Sequence, residues 1–347
     1  MAKVATRLYI GKKVSWNNTR AIRKLSTTVE EPEEPGVDTG NYLAFTSAND
    51  FTLGVIDNTK YWKGTLEYST NATTWAVWDG TVALSSSAGK LYLRGTGNTF
   101  ITGSSVSTSS GKGYWVFNGI SPISSSGNIE NLLDYNTVAN NGHPEMAVYC
   151  YAFMFFGNLR LESAPELPAT KLSDYCYRGM FQGCGLTSLP ELPATTLATY
   201  CYQSMFQNCR YIMVPVSLPA TTLASGCYYS MFEGCTSLQT VPPLRFTTVA
   251  TYCCYRMFYG CTSLTTLPIM YATTLLAFCY AYMFGACTAI RLSTAGSSEY
   301  PNLYKIPYSG TGTVSNNSLY YMFANTGGTF KGTPEINTTY YTRNSLV

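Results

Sequence analysis

The dipeptide Met-Phe recurs at 154–155, 180–181, 205–206, 231–232, 257–258, 283–284 and 322–323, with successive spacings of 26, 25, 26, 26, 26 and 39 residues. A fixed period of this size marks a solenoid, whose units bury their apolar faces only by stacking on their neighbours. Counting from each Met shows which other positions recur. Eight residues earlier stands an apolar residue: Leu172, Leu197, Leu223, Val249, Leu275 and Val314. Four residues earlier stands Cys150, Cys176, Cys201, Cys227, Cys253 or Cys279, and four later Cys184, Cys209, Cys235, Cys261 or Cys287. A Leu or Ile and a proline turn follow, as in Val241-Pro242 and Leu267-Pro268.

Each unit therefore reads as two extended sides and one helical turn. Leu-x-x-Leu/Val-Pro is a short strand ended by a proline that cannot join a ladder. Thr-Thr-Leu is a second β-prone segment. In Cys-Tyr-x-x-Met-Phe-x-Gly-Cys, Met and Phe point inward and Gly closes the turn. The expected core is Met154, Phe155, Met180, Phe181, Met205, Phe206, Met231, Phe232, Met257, Phe258, Met283 and Phe284, like stacked on like. The 39-residue interval before Met322 is expected to hold a surface insertion near Ser293–Lys305.

The pattern resembles the BspA-like leucine-rich repeats of bacterial surface proteins, whose units read roughly Ile-Pro, Val-x-x-Ile, then Ala-Phe-x-Gly-Cys-x-x-Leu. The segment Met231-Phe232-Glu233-Gly234-Cys235-Thr236-Ser237-Leu238 carries the closest likeness, which extends over about residues 146–323. Units here are a few residues longer and use Met where Ala is common. Upstream, Gly64–Thr70, Trp75-x-x-Trp78-Asp79-Gly80, Leu91–Gly95 and Ser126-Gly127-Asn128-Ile129 resemble, more loosely, a β module preceding such repeats in gut-bacterial surface proteins and bacteriophage tail or head-fibre proteins. The resemblance implies a right-handed solenoid and an adhesive, structural role.

Three regions follow. Residues 1–40 comprise a basic arm and an acidic, proline-containing linker: residues 1–29 carry Lys3, Arg7, Lys12, Lys13, Arg20, Arg23 and Lys24 with no acid, before Glu-Glu-Pro-Glu-Glu-Pro. Leu8, Ile10, Val14 and Trp16 are candidate anchors by which the arm adds a strand to a neighbouring protein. A disordered tail and a DNA contact are the other readings. Residues 41–128 read as a small β-sandwich of six to eight strands, from short Thr-, Tyr-, Trp- and Val-rich runs broken by Gly, Asn and Ser. Trp62, Trp75, Trp78 and Trp115 suit its core, with a sugar-binding face as the rival. Residues 129–347 are the solenoid with its C-terminal cap. The fold class is mainly β with short helical turns.

Composition removes whole classes of chemistry. One histidine, His143, stands in a loop sequence and leaves no His-based base beside a nucleophile. Charged residues are 12% and the net charge is +3, too little for nucleic-acid binding. No run approaches the ~20 apolar residues of a membrane span, and the N-terminus lacks the apolar core of an export signal. Twelve cysteines lack zinc spacing, and two Cys eight apart on a helical segment lie too far apart to bridge. They read as reduced core residues, ahead of inter-repeat disulfides or a metal. No catalytic residue, metal or cofactor is expected, and no enzyme.

The tyrosines are the remaining clue. Tyr151, Tyr177, Tyr202, Tyr228 and Tyr280 stand three before the Met, and Tyr149, Tyr175, Tyr200 and Tyr252 five before it. Two positions apart on a helical turn point to different faces, so at least one column is expected to be partly exposed. The first column is taken as the candidate ligand surface, with seam-filling between repeats as the alternative. The function expected is a phage virion fibre or decoration protein, docked on capsid or tail through residues 1–29 and binding a host-surface glycan or protein. A gut-bacterial cell-surface adhesin and an inert spacer are the alternatives, and a homo-oligomer is left open.

Overall fold

The computed structural model describes residues 41–103 and 113–347. The candidate anchors Leu8, Ile10, Val14 and Trp16, and the linker, lie outside them. The described chain is mainly β, with one short helix and several small sheets, none closed.

Eight strands come first: β1 (Leu43–Ser47), β2 (Thr52–Val55), β3 (Thr65–Ser69), β4 (Ala76–Trp78), β5 (Leu84–Ser85), β6 (Lys90–Thr96), β7 (Trp115–Asn118) and β8 (Ile123–Ser126). They form two antiparallel sheets, ordered β4-β3-β6-β1-β8 and β5-β2-β7. In β6 every second residue, Leu91, Leu93 and Gly95, is buried, the alternation of a strand with one face inward. The two sheets meet through Phe45 against Phe117 (4.8 Å) and Trp78 against Trp115 (5.4 Å). Trp62, Trp78 and Trp115 are core residues, while Trp75 is partly exposed beneath Arg94. The helix α1 (Asn131–Ala139) follows, broken at Asp134.

From residue 146 the units stack in register, but not through helical turns. The expected helical turn is replaced by a chain of overlapping turns. Ala152 and Met154 amides donate three residues back, to Tyr149 and Tyr151, whereas Tyr151, Phe153 and Phe155 amides donate to Cys176, Arg178 and Met180 of the next unit. A helix would keep all of these bonds to itself. Sharing half of them with the neighbour requires a left-handed residue at every fourth position. In the unit of Met231 these are Gly226, Ser230 and Gly234, and in that of Met257 Tyr252, Arg256 and Gly260.

The twelve expected core Met and Phe side chains are fully buried. Rings from Phe155 through Phe181, Phe206, Phe232, Phe258 and Phe284 to Phe323 stack 5.5–5.8 Å apart. Each such pair contributes about 0.5–1.5 kcal/mol beyond its area burial. The later cysteines of each unit form a parallel thiol ladder: Cys184, Cys209, Cys235, Cys261 and Cys287 Sγ donate to the Phe carbonyls of preceding units at 2.8–3.1 Å. All twelve are free and buried. The outer edge carries short parallel bridges, Lys171 to Thr196 and Thr222 to Thr248, continued by β10 (Thr274–Leu275) on β13 (Thr313–Val314).

Both ends of the stack are closed. Ile101 and Trp115 amides donate to Cys150 and Met154 carbonyls, where another unit would otherwise bond. One apolar core accordingly runs from Leu43 to Tyr340 across the 128/129 boundary. At the far end Phe323 donates to Gly332, and Tyr321 to the Thr333 hydroxyl. The 39-residue interval holds no extra unit, since Phe284 donates directly to Met322. It is more than a surface insertion, however. β11 (Leu292–Ser293) and β12 (Asn302–Lys305) flank β14 (Thr339–Thr342), and Leu292, Tyr304 and Ile306 enter the core. β15 (Ser345–Leu346) returns to pair in parallel with β9 (Thr266–Leu267).

Candidate functional site

The column chosen from the sequence as a ligand surface is interior. Tyr151, Tyr177, Tyr202, Tyr228 and Tyr280 are at most 2% exposed, and successive rings in the first four units stack 5.7–6.1 Å apart. They cannot touch a ligand. The assignment rested on helical geometry, and in the overlapping turns the residue three before Met lies on the same inward side as the Met itself. Burial pushes their hydroxyls well above the ordinary tyrosine range.

The face turned outward carries the other column. Tyr149, Tyr175 and Tyr200 are partly exposed, and their rings stack at 4.7 and 5.1 Å. The next unit has Gly226, whose added Cβ would lie 2.1 Å from the Tyr200 ring. There Tyr229 supplies the missing ring, 6.2 Å from Tyr200. Ring contacts continue through Tyr255 (4.8 Å), Tyr282 (5.8 Å) and Tyr320 (5.6 Å), with Tyr252 on Phe278 alongside at 4.9 Å. Aromatic contact thus crosses all seven units, roughly 30 Å at ~4.8 Å per unit.

Backbone conformation sets this column apart. Three and five residues from each Met, on opposite sides, the chain is left-handed, which costs an L-residue about 1–2 kcal/mol. On the far side it uses tolerant types: Gly157, Gly183, Asn208, Gly234, Gly260 and Asn325, with Ala286 the exception. On the near side it uses Tyr149, Tyr175, Tyr200, Tyr252 and Phe278, at φ of 53–61°, with Gly226 and Asn317 in the other two units. Rings are placed where glycine would strain nothing. Burial raises the Tyr175 hydroxyl above the ordinary tyrosine range, and Tyr149 and Tyr200 beside it add to the shift.

Charges on this face are few. Arg256 lies over the Tyr259 ring at 4.0 Å and is paired with Glu233 at 2.8 Å. Arg178 lies over Phe153 (5.5 Å) and Tyr175 (5.8 Å). The same unit carries Gln182 and the next one Gln203 and Gln207, with Gln182 Nε2 donating to Gln207 Oε1 at 2.9 Å. Sequence reasoning singled out none of these four. The Gly or Asn three after Met marks a left-handed position, but only the overlapping turns show that stepping back from it by fours reaches the exposed rings.

A second feature lies at the start of the stack. Glu130 is 1% exposed, and its Oε2 is 2.8 Å from His143 Nδ1 at a cavity of about 400 Å³. Desolvation raises the Glu130 carboxyl, and His143 partly opposes it. His143, expected to be an ordinary loop histidine, thus holds a buried acid. Among the described residues no cluster of three His, Cys, Asp or Glu is placed to bind a metal. Neither a family model, nor a curated protein, nor a solved structure matches this chain.

Proposed function

We propose that the chain is a non-enzymatic adhesion protein, in which a leucine-rich-repeat solenoid of BspA-like type displays the aromatic face to a partner. The observation that carries this reading is the placing of Tyr149, Tyr175, Tyr200 and Tyr252 at left-handed positions, where Gly226 stands in an equivalent unit. Ring stacking adds about 0.5–1.5 kcal/mol per pair beyond area burial, comparable to the backbone strain. Strain held at a surface points to use. The composition of the face, Tyr with Ser, Gly, Asn, Gln and Arg, matches that of surfaces that bind by rigid aromatic anchors and adaptable polar contacts. Stacking fixes the rings before binding, which lowers the ordering cost.

Within this reading the protein belongs to a bacteriophage virion, as a head or tail fibre or decoration protein, with residues 1–29 docking on capsid or tail. The resemblance of the repeat and its preceding module supports that placement. The same face would serve a bacterial cell-surface adhesin, and immunogold labelling of intact particles separates the two. The face itself is tested with fluorescent protein on bacterial cells. Saturable binding is expected to fall about tenfold or more when Tyr175, Tyr200, Tyr229 and Tyr252 are changed together to Asn, which tolerates the left-handed backbone of Tyr175, Tyr200 and Tyr252. Unchanged binding by that folded variant would reject the face.

A further inference from the structure

Three arginines in the described residues are laid over aromatic rings, and they differ in one respect. Arg94 sits over Trp75 and Tyr135, each at 4.2 Å, and its Nε is 2.7 Å from Glu67. Arg256 sits over Tyr259 and is closed by Glu233. Arg178 is held over Phe153 and Tyr175, yet among the described residues its guanidinium meets no carboxylate and no hydrogen-bond acceptor. The rings hold the fork in place while leaving its charge unanswered.

The surroundings narrow what would answer it. Gly179 and Gly183 amides donate to Gln203 and Gln207 carbonyls, so Arg178, Gln182, Gln203 and Gln207 stand on two adjacent units. Between them lie Gly179, covered by the Phe153 ring 2.4 Å from where a Cβ would stand, and the partly exposed Ser204. The Gln182–Gln207 bond uses one donor and one acceptor and leaves a carbonyl oxygen on Gln182 and an amide on Gln207 unused. Among the described residues Gln203 has neither side-chain group engaged. Carboxamides offering donor and acceptor together complement hydroxyls, and a planar guanidinium complements a carboxylate in a two-pronged pair. Stacked on one another, Tyr149, Tyr175 and Tyr200 present edges and hydroxyls rather than open ring faces. A neutral sugar would therefore find little stacking area along this column.

We infer that Arg178, with Gln182, Gln203 and Gln207, forms a subsite for a carboxylate-bearing sugar of a host-surface glycan. This rests on the adhesion reading above and specifies its ligand class. The carboxylate takes the Arg178 fork, and the adjacent ring hydroxyls take the three carboxamides. Because the pair is partly exposed, its contribution weakens as salt rises.

The test is an array of uronate- and sialate-bearing oligosaccharides printed beside their neutral parents and beside glutamate-rich peptides, probed with the full chain. Binding to at least one carboxylated glycan is expected to exceed that to its neutral parent at least about tenfold, the size of one charge-assisted hydrogen bond. Arg178→Ala is expected to erase that preference. Arg178→Lys, which keeps the charge but loses the fork, is expected to restore little of it. Arg256→Ala, whose charge is already answered by Glu233, is expected to retain it. No binding to any carboxylated glycan, equal binding to the neutral parents, binding confined to the peptides, or an unchanged preference in Arg178→Ala each overturns the inference. If Arg178→Ala binds cells normally while the four-tyrosine variant does not, the subsite fails and the adhesive face stands. If the four-tyrosine variant binds cells as the unaltered protein does, the face itself fails.

Discussion

In the sheets of residues 43–126 a backbone amide bonds across to another strand, and side chains alternate in and out with a period of two, as in β6. In the stack beyond residue 146 alternate amides bond three residues back and to the next unit, and the chain turns left-handed at every fourth residue. The sheet region gains its core by pairing stretches distant in sequence, Phe45 on Phe117 and Trp78 on Trp115. The stack gains it by repeating one solution, so that Phe meets Phe and Cys meets Cys. Heterogeneous packing spreads risk over unlike contacts. Columnar packing makes each position depend on its equals above and below, and it collects like titratable groups in one dry interior.

The largest difference this predicts is at alkaline pH. Burial raises the Cys209 and Cys287 thiols to about 12, and Cys184, Cys235 and Cys261 also lie well above the usual thiol range. A raised folded-state pKa means that the stability each thiol contributes is whole below ~8.5, its unfolded value, and is lost as pH climbs toward about 12. Each thiol removes about 1.4 kcal/mol per pH unit in that window. With five in one ladder, the stack is expected to unfold cooperatively between about pH 9 and 10. The sheet strands contain no cysteine, so fluorescence of Trp115 and its neighbours reports whether they follow or lag. Stability that stays flat to pH 11 would break the comparison.

Next in size is a hole in a column. Phe232 lies between Phe206 at 5.7 Å and Phe258 at 5.6 Å. Phe232→Ala is expected to cost about 3–5 kcal/mol, read from the denaturant midpoint. The last ring, Phe323, is covered by Tyr304 at 5.9 Å and Phe330 at 6.5 Å, so its replacement is expected to cost nearly as much. A terminal position without those rings would have been the mild one. A much smaller shift for Phe323→Ala than for Phe232→Ala would show that the C-terminal cap is not packed as described.

The smallest effect separates backbone from space. Gly183 has φ of 72° and open room, its nearest neighbour for an added Cβ being Gly157 Cα at 3.7 Å. Gly183→Ala is expected to cost about 1–2 kcal/mol from conformation alone. Gly54, in β2, has no such torsion, and an added Cβ meets Ala83, its Cβ at 3.3 Å and its Cα at 3.6 Å. Gly54→Ala is expected to change thermal stability by less than about 1 kcal/mol, because the strand torsion suits alanine. Equal shifts from the two would argue against the left-handed period.

Which parts were legible follows from which signals are local. The Met-Phe period names the buried columns because identical residues at a fixed interval pack only on one another, and Met154 to Phe284 are buried as that requires. Cys-Tyr-x-x-Met-Phe reads as a helical turn because its spacing suits one. No local preference reveals that half its amides bond to a different unit. That one misreading placed the exposed aromatic column at Tyr151, Tyr177 and Tyr202, where it lies at Tyr149, Tyr175 and Tyr200. Arg178 and the three glutamines carry no repeating signature, since each stands in one or two units only.

By itself, then, the sequence determined the unit, its period and the residues that fill each column, since these follow from side-chain volume and hydrophobicity repeated along the chain. Only the tertiary structure decided which tyrosine column faces out, how the sheets of residues 41–126 and the segment after 330 close the two ends, and which arginine keeps an unanswered charge. Those outcomes depend on where backbone hydrogen bonds cross between segments tens of residues apart, and no residue carries that information alone.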